Sequence, residues 1–301
     1  MRPVRFAYAR PRTAEEAVAE LQRHGPQARV VAGGQSLLPL MYQRRERPTA
    51  LVDLGTVEGL RSLHRDGDAL RVGAMTTHRA IETAAGSEVH GFRVLPETAR
   101  LIAHLPVRVR GTFGGSLAHA DPLAEWCLLA TLLDAEVTAL GPAGVRTVPV
   151  TEFLLGDGRT ALGWDEILVE VRLPRPAPSA ALVEFGWQEG SLPVVAAATE
   201  VELAPDGSVA AVRVAVSGVA DRPVLLPGAE KVLVGAGSGE QALAAAARSL
   251  ADALDPPGDA WAGGAYRREL AATMILRSLR ASVTRAGLSA PARTTLQEAS
   301  R

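Results

Sequence analysis

The chain of 301 residues contains one cysteine, Cys127, and one lysine, Lys231. A single cysteine neither closes an internal disulfide nor holds an iron–sulfur cluster. A single lysine that follows no glycine-rich loop rules out a Walker-type phosphate loop. Net charge is −1, so the chain carries no basic footprint for nucleic acid or an anionic membrane. No apolar run approaches a bilayer span, and the N-terminal stretch MRPVRFAYARPRTAEEA has neither the apolar core nor the cleavage signal of an export peptide. These absences lead us to expect a soluble, cytoplasmic protein. Metal-ligand spacing is missing too: His119 and Asp121 form an HxD pair with no third ligand nearby in the sequence. Ser116 lacks the G-x-S-x-G frame of a nucleophile elbow, and Cys127, within an apolar helix, reads as a packed hydrophobe.

What the chain does have is glycine pairs. Val31 to Pro39 reads VAGGQSLLP and Gly111 to Pro122 reads GTFGGSLAHADP. Each is a Gly-Gly pair followed by serine and leucine, and each follows an apolar or strand-like run. Glycine lets backbone come close where a Cβ would block it, and consecutive N–H groups in such a turn form an anion nest. Two such loops fit a diphosphate. With almost no lysine available, backbone donors have to supply most of the neutralisation.

Around them the text alternates between short strands and helices. Thr13 and Glu16 have the form of a capping box ahead of a helix to His24. Ala28–Ala32, Ala50–Leu54, Leu70–Gly73 and Glu136–Leu140 read as strands, Leu95–Ala103 as a helix, and Pro122 as the first residue of a helix through Leu133. Leu173–Ser179, with three prolines, is the linker candidate. Beyond it come longer strands at Ala181–Phe185, Ala196–Leu203 and Val209–Ser217, with Asp206-Gly207 as a hairpin turn. Helices follow at Gln241–Leu254 and Tyr266–Ala281. Val232–Gly239 imitates a dinucleotide fingerprint, but Glu240 stands where the third glycine belongs.

Several stretches together carry a family resemblance: VAGGQSLLPLM (31–41), LVDLGTVEGL (51–60), LRVGAMTTHRAIE (70–82), VRVRGTFGGSLAHADPLAEW (107–126), DEILVEVRLP (165–174), VAVSGVADRPVLLPGAE (214–230) and YRRELAATMILRSL (266–279). The chain resembles, over residues 1–285, the FAD-binding medium subunits of molybdenum hydroxylases of the carbon-monoxide-dehydrogenase and xanthine-dehydrogenase kind. The resemblance implies an α+β fold. A PCMH-type FAD-binding domain of two subdomains would span 1–175, with their boundary near 55–60. A smaller α+β C-terminal domain would span 180–285, followed by a tail at 286–301.

The same resemblance implies non-covalent FAD. Ala32, Gly33, Gly34, Gln35 and Ser36 would wrap its pyrophosphate, with Leu37 and Leu38 near the ribityl chain or flavin. Thr112, Gly114, Gly115 and Ser116 would close the other side. Asp121 or Glu125 would accept from ribityl or ribose hydroxyls, and Leu168 would meet the adenine or flavin edge. No residue of this chain is implied as catalytic or metal-binding. Molybdopterin and [2Fe–2S] clusters would belong to a large and a small partner subunit, in an assembly that is often a dimer of heterotrimers. The chain would pass electrons from those clusters through FAD to an external acceptor. It departs from its relatives at Phe185–Val194, FGWQEGSLPV, where Trp187-Gln188 replaces a basic pair and Ser191-Leu192 an Asp-Phe pair. That departure leaves open a second reading: a flavin-binding scaffold or flavin oxidase working outside a hydroxylase complex.

Overall fold

Thr13 starts the first helix as the residue pattern requires: its hydroxyl accepts from Glu16 N–H, and the Glu16 carboxylate reaches back to the Thr13 N–H. In the computed structural model, which describes residues 5–289, this helix (Ala14–His24) buries Ala17, Val18 and Leu21. It packs against a small parallel sheet of Ala7–Ala9, Ala50–Asp53 and Ala28–Val31, with Ala50–Asp53 in the centre. Ala28–Val31 ends one residue before the first glycine pair, at Val31 rather than the expected Ala32.

A second sheet is antiparallel throughout, in the order Leu63–Asp66, Ala69–Gly73, Ile167–Leu173, Glu136–Gly141, Gly144–Pro149. Helices Val94–Leu101, Phe113–His119 and Glu125–Leu132 belong to its core, with Phe92, Phe113, Trp126 and Phe153 fully enclosed. Every residue of Glu125–Leu132 is buried, because the helix lies between this sheet and the next. An all-round apolar helix is stable only in such a place.

The third sheet orders Ala181–Phe185, Val195–Leu203, Val209–Ser217 and Val224–Leu225 in antiparallel fashion. Alternation along Val195–Leu203 serves two cores at once. Ala196 and Ala198 face the second sheet's helices, while Val195, Ala197 and Val201 face the C-terminal helices Glu240–Asp252 and Gly264–Ser289. The last helix runs past the expected Ala281 to Ser289. Residues 290–301 of the expected tail lie outside the described residues. Among the described residues no helix is long and apolar enough to cross a membrane.

Val107 and Arg108, just ahead of the second glycine stretch, close a helix (Leu105–Arg108). Two local expectations differ from what forms. The helix expected from Pro122 begins at Glu125, because Asp121 Oδ1 accepts Leu123 N–H at 2.9 Å and Ala124 is extended. Val232 and Leu233, at the head of the dinucleotide look-alike, close a helix (Gly228–Leu233) rather than form a strand.

The proline-rich segment after Leu173 is pinned rather than free. Ala177 N–H donates to Gly91 O at 2.8 Å, and Ala177 and Ala180 are fully buried. Arg175 makes two parallel bonds to Glu200, at 2.6 and 2.7 Å, with Glu200 buried. Arg175→Ala is expected to lower the unfolding free energy by about 1–3 kcal/mol: it strands a buried carboxylate, but water reaches the side Arg175 leaves open. The urea midpoint measures it, and an unchanged midpoint would show the pair to be neutral.

Candidate functional site

The two glycine stretches meet. An ideal Cβ placed on Gly33 lies 2.2 Å from the Arg110 carbonyl oxygen and 2.8 Å from Gly111 Cα. One placed on Gly115 lies 3.3 Å from Ala32 Cβ. The missing side chains at these positions are what let one loop sit on the other.

The loops differ in what they leave available. In the second, Thr112 caps the helix Phe113–His119, its hydroxyl accepting from Gly115 N–H at 3.0 Å. Phe113 N–H donates to Thr76 O, Gly114 N–H to Ala74 O and Ser116 N–H to Thr112 O. An ideal Cβ on Gly114 would stand 2.6 Å from Ala74 Cα. The expectation that both loops act as nests is therefore corrected: the second has its amides occupied, two by the Ala74 and Thr76 carbonyls and two by Thr112. It offers instead a surface without side chains at Gly115 and a Ser116 hydroxyl with no hydrogen-bond partner among the described residues.

The first loop is the opposite case. Gly34 takes a left-handed conformation, φ 70°, and Gln35 Nε2 donates to Gly33 O at 2.8 Å, which fixes the turn. Among the described residues, none of the backbone N–H groups of Gly33, Gly34, Gln35 and Ser36 donates to another protein group. Four adjacent half-buried amides without acceptors form a cradle for an anion. This is the observation that fits the chain to a pyrophosphate. Leu37 and Leu38 open the short helix Leu37–Tyr42, with Leu38 exposed at its rim.

The remaining candidates fall on one side of the second loop. Asp121 is half-buried; its Oδ1 is taken by Leu123 N–H, and Oδ2 has no hydrogen-bond partner among the described residues. Glu125 is buried, and burial, with the Asp121 charge adding to it, pushes its carboxyl up to about 7. Leu168 lies at an irregularity in its strand between Leu168 and Glu170, its side chain in the core and its neighbour's carbonyl, Val169 O, bonded to Ala74 N–H.

Beneath the second loop lies a histidine to which neither the residue pattern nor the resemblance assigns a role. His78 is buried, accepts the Trp126 Nε1–H at Nδ1 (3.0 Å), and takes Gly111 O at its backbone N–H. Burial, with Arg108 adding to it, drives its pKa down to about 4. It is thus neutral with the proton on Nε2, and an ideal Cβ on Gly111 would lie 2.6 Å from that nitrogen. The apolar period of TTHRAIE, which puts His78 on the face of Ile81, was the available signal. Cys127, fully buried, has its thiol pushed up by burial. In the altered stretch, Trp187 stacks on Tyr266 at 6.0 Å and meets Phe185 edge-on at 5.5 Å, half exposed.

Comparison with known proteins agrees with this geometry. Residues 4–176 match the model of the FAD binding domain in molybdopterin dehydrogenase, and 181–282 that of the CO dehydrogenase flavoprotein C-terminal domain. The chain is 34% identical over 288 residues to a 6-hydroxypseudooxynicotine dehydrogenase complex subunit alpha from Paenarthrobacter nicotinovorans, covering 95% of this chain and 97% of that one. It is 32% identical over 291 residues to the carbon monoxide dehydrogenase medium chain of Hydrogenophaga pseudoflava, covering 95% and 99%. Among solved structures it superposes on a chain of quinoline 2-oxidoreductase from Pseudomonas putida 86 with TM-score 0.91 and 35% identity, covering 95% and 99%. With a free amide cradle where the resemblance puts a pyrophosphate, and both halves matched in order, the chain belongs to the FAD-binding medium subunits of the molybdenum hydroxylase family.

Proposed function

We propose that this chain is a flavoprotein electron-transfer subunit. It holds FAD non-covalently between iron–sulfur clusters on a partner chain and an external electron acceptor. The observation that carries this reading is the row of unengaged amides at Gly33–Ser36, closed from above by the second loop. Bound FAD supplies one chemistry that the protein's own side chains lack, accepting electrons singly and releasing them singly or in pairs.

The residues divide the work of holding it. Ala32–Ser36 neutralise the pyrophosphate through N–H groups, which approach more closely than an arginine would. Leu37 and Leu38 cover the ribityl chain or flavin. Thr112, Gly114, Gly115 and Ser116 form the opposite wall, and the Ser116 hydroxyl is free to bond. Asp121, with an open oxygen, accepts from a ribityl or ribose hydroxyl, and Glu125 backs it. Leu168 contributes through backbone along the adenine or flavin edge. No acid–base pair is needed for electron transfer alone.

The names of the relatives support the partners: two are a "medium chain" or a "subunit alpha" of a complex, and one solved homologue is described as lacking the Mo-pyranopterin moiety of its molybdenum cofactor. We assign a large molybdopterin subunit and a small [2Fe–2S] subunit to this chain as well, in a cytoplasmic dimer of heterotrimers. Affinity purification of the tagged chain from its own host tests both levels. Expected are a yellow protein with flavin absorption and two co-purifying chains that bring molybdenum and iron. A colourless chain that takes up no added FAD overturns the reading. A yellow chain that arrives alone overturns the complex and leaves the flavin scaffold or oxidase.

A further inference from the structure

A cavity of about 410 Å³ opens between the segment 100–108 and the strand end and turn 184–191. Glu184, next to last in the strand Ala181–Phe185, lines it. Its Oε2 is shielded from solvent and has no hydrogen-bond partner among the described residues. A buried carboxylate oxygen with no donor is costly as an anion, so the group lies ready either to bond something in the cavity or to carry a proton.

The surroundings decide between these. Across the cavity, Arg108 is spent on Glu82 (3.0 Å) and on the carbonyls of Ile102 and Ala103 (3.1 and 2.9 Å). Arg100 is exposed, and His104 is packed against Gly190, whose ideal Cβ would lie 2.6 Å from the imidazole Cε1. Glu189 adds a second acid on the turn. From the helix Glu125–Leu132, Glu125 presents a like charge. Among the described residues no cation bonds Glu184, and two neighbouring carboxylates shielded from water cannot both ionise cheaply. Burial, with Glu125 adding to it, pushes Glu184 up to about 8. At neutral pH it is a carboxylic acid whose O–H has no acceptor among the described residues.

One segment of chain, 108–110, touches both the cavity and the amide cradle. Gly33 sits on the Arg110 carbonyl, and Arg108, two residues earlier, lines the cavity wall. It is also bounded by the stretch 186–191, where this chain departs from its relatives.

We propose that the flavin ring lies against this cavity and that Glu184 is its proton donor. This rests on the FAD reading above. Two electrons, taken one at a time from the partner's iron–sulfur clusters or from dithionite in a cuvette, would make the ring basic, and Glu184 would supply the proton: its O–H bond would break as an N–H bond formed, in the balance FAD + 2e⁻ + H⁺ → FADH⁻. The carboxylate left behind regains its proton from solvent through the open side of the cavity.

The test uses the FAD-loaded chain and needs no turnover. Visible absorption of the oxidised flavin is recorded from about pH 6 to 10, in parallel with the thermal midpoint. The wild type is expected to show a flavin band shift titrating near the Glu184 value of about 8. Glu184→Gln is expected to lose it, Glu184→Asp to keep it, and Glu189→Gln to leave it unchanged. The stability sign follows from the same proton. The folded chain keeps Glu184 protonated above the ordinary carboxylate value of 4.5, so the wild type loses stability as pH rises from 4.5 through 8. Glu184→Gln is expected to flatten that loss, a readout that survives even if the variant releases its flavin. A wild type with no flavin titration, or a titration unchanged in Glu184→Gln, overturns the proposal while FAD binding stands. Failure to bind FAD at all overturns the earlier reading instead.

Discussion

Gly33→Ala is expected to strip FAD from the chain while the rest of the fold survives. The added Cβ would lie 2.2 Å from the Arg110 oxygen, 2.7 Å from its carbon and 2.8 Å from Gly111 Cα. All three are backbone atoms, so no rotamer change relieves the contact and one of the two loops has to move. Overpacking of this kind costs about 1–3 kcal/mol and sometimes more, and here the movement falls on the cradle itself. The flavin-to-protein absorbance ratio after gel filtration is expected to fall at least tenfold, with far-UV circular dichroism unchanged. Gly34→Ala is the control for glycine chemistry alone. Its φ of 70° makes alanine unfavourable by about 1 kcal/mol, but the nearest atom, at 3.0 Å, is the end of the flexible Leu38 side chain. It should therefore keep more flavin than Gly33→Ala. Full flavin content in Gly33→Ala would mean that the contact between the loops does not shape the site.

What the sequence made legible was local. The Thr13–Glu16 capping box, the strand running into Gly33-Gly34, and the hairpin at Asp206-Gly207 each depend on neighbours a few residues away, and each formed as read, the strand to within one residue. What stayed hidden depends on distant partners. The second glycine stretch looked like a twin of the first. Two of its amides are occupied because Ala74 and Thr76, nearly 40 residues upstream, present their carbonyls to it, and the other two bond Thr112 at the head of their own helix. Composition gives no sign of that commitment, and it removes half of the double-nest argument while leaving the stronger half intact. Glu184 was hidden for a related reason. In the text it is one acid in a strand, and only packing the third sheet onto Glu125–Leu132 sets it opposite Glu125 with no cation bonded to it among the described residues.

Arg267→Met is expected to be the most destabilising single change in the C-terminal half. Arg267 is 4% exposed, and its Nη1 donates to the carbonyls of Val194 (2.7 Å) and Gly218 (3.2 Å), with Nη2 to Asp259 Oδ2 (2.5 Å). The two carbonyls converge because Gly218, at φ 81°, allows it: an ideal Cβ there would lie 2.1 Å from Val194 O. Methionine fills much of the volume but donates nothing, leaving the Val194 and Gly218 carbonyls without this donor, while Asp259, half exposed, keeps its two N–H donors. Each buried carbonyl left unsatisfied costs about 1–3 kcal/mol, read as a lower guanidinium midpoint. Asp259→Asn should cost less, since that side chain is held first by the N–H groups of Trp261 and Ala262, which an amide oxygen also accepts. The consequence reaches the cavity. Val194 N–H bonds Phe185 O at 2.7 Å, and Tyr266, beside Arg267, carries the Trp187 stack. Loosening Arg267 therefore frees both ends of the 186–192 turn that walls Glu184. At a denaturant concentration where the variant is still folded, its flavin should lose the titration near pH 8 together with Glu184→Gln. A variant that is destabilised yet keeps that titration would separate the anchoring of the C-terminal helix from the shaping of the cavity.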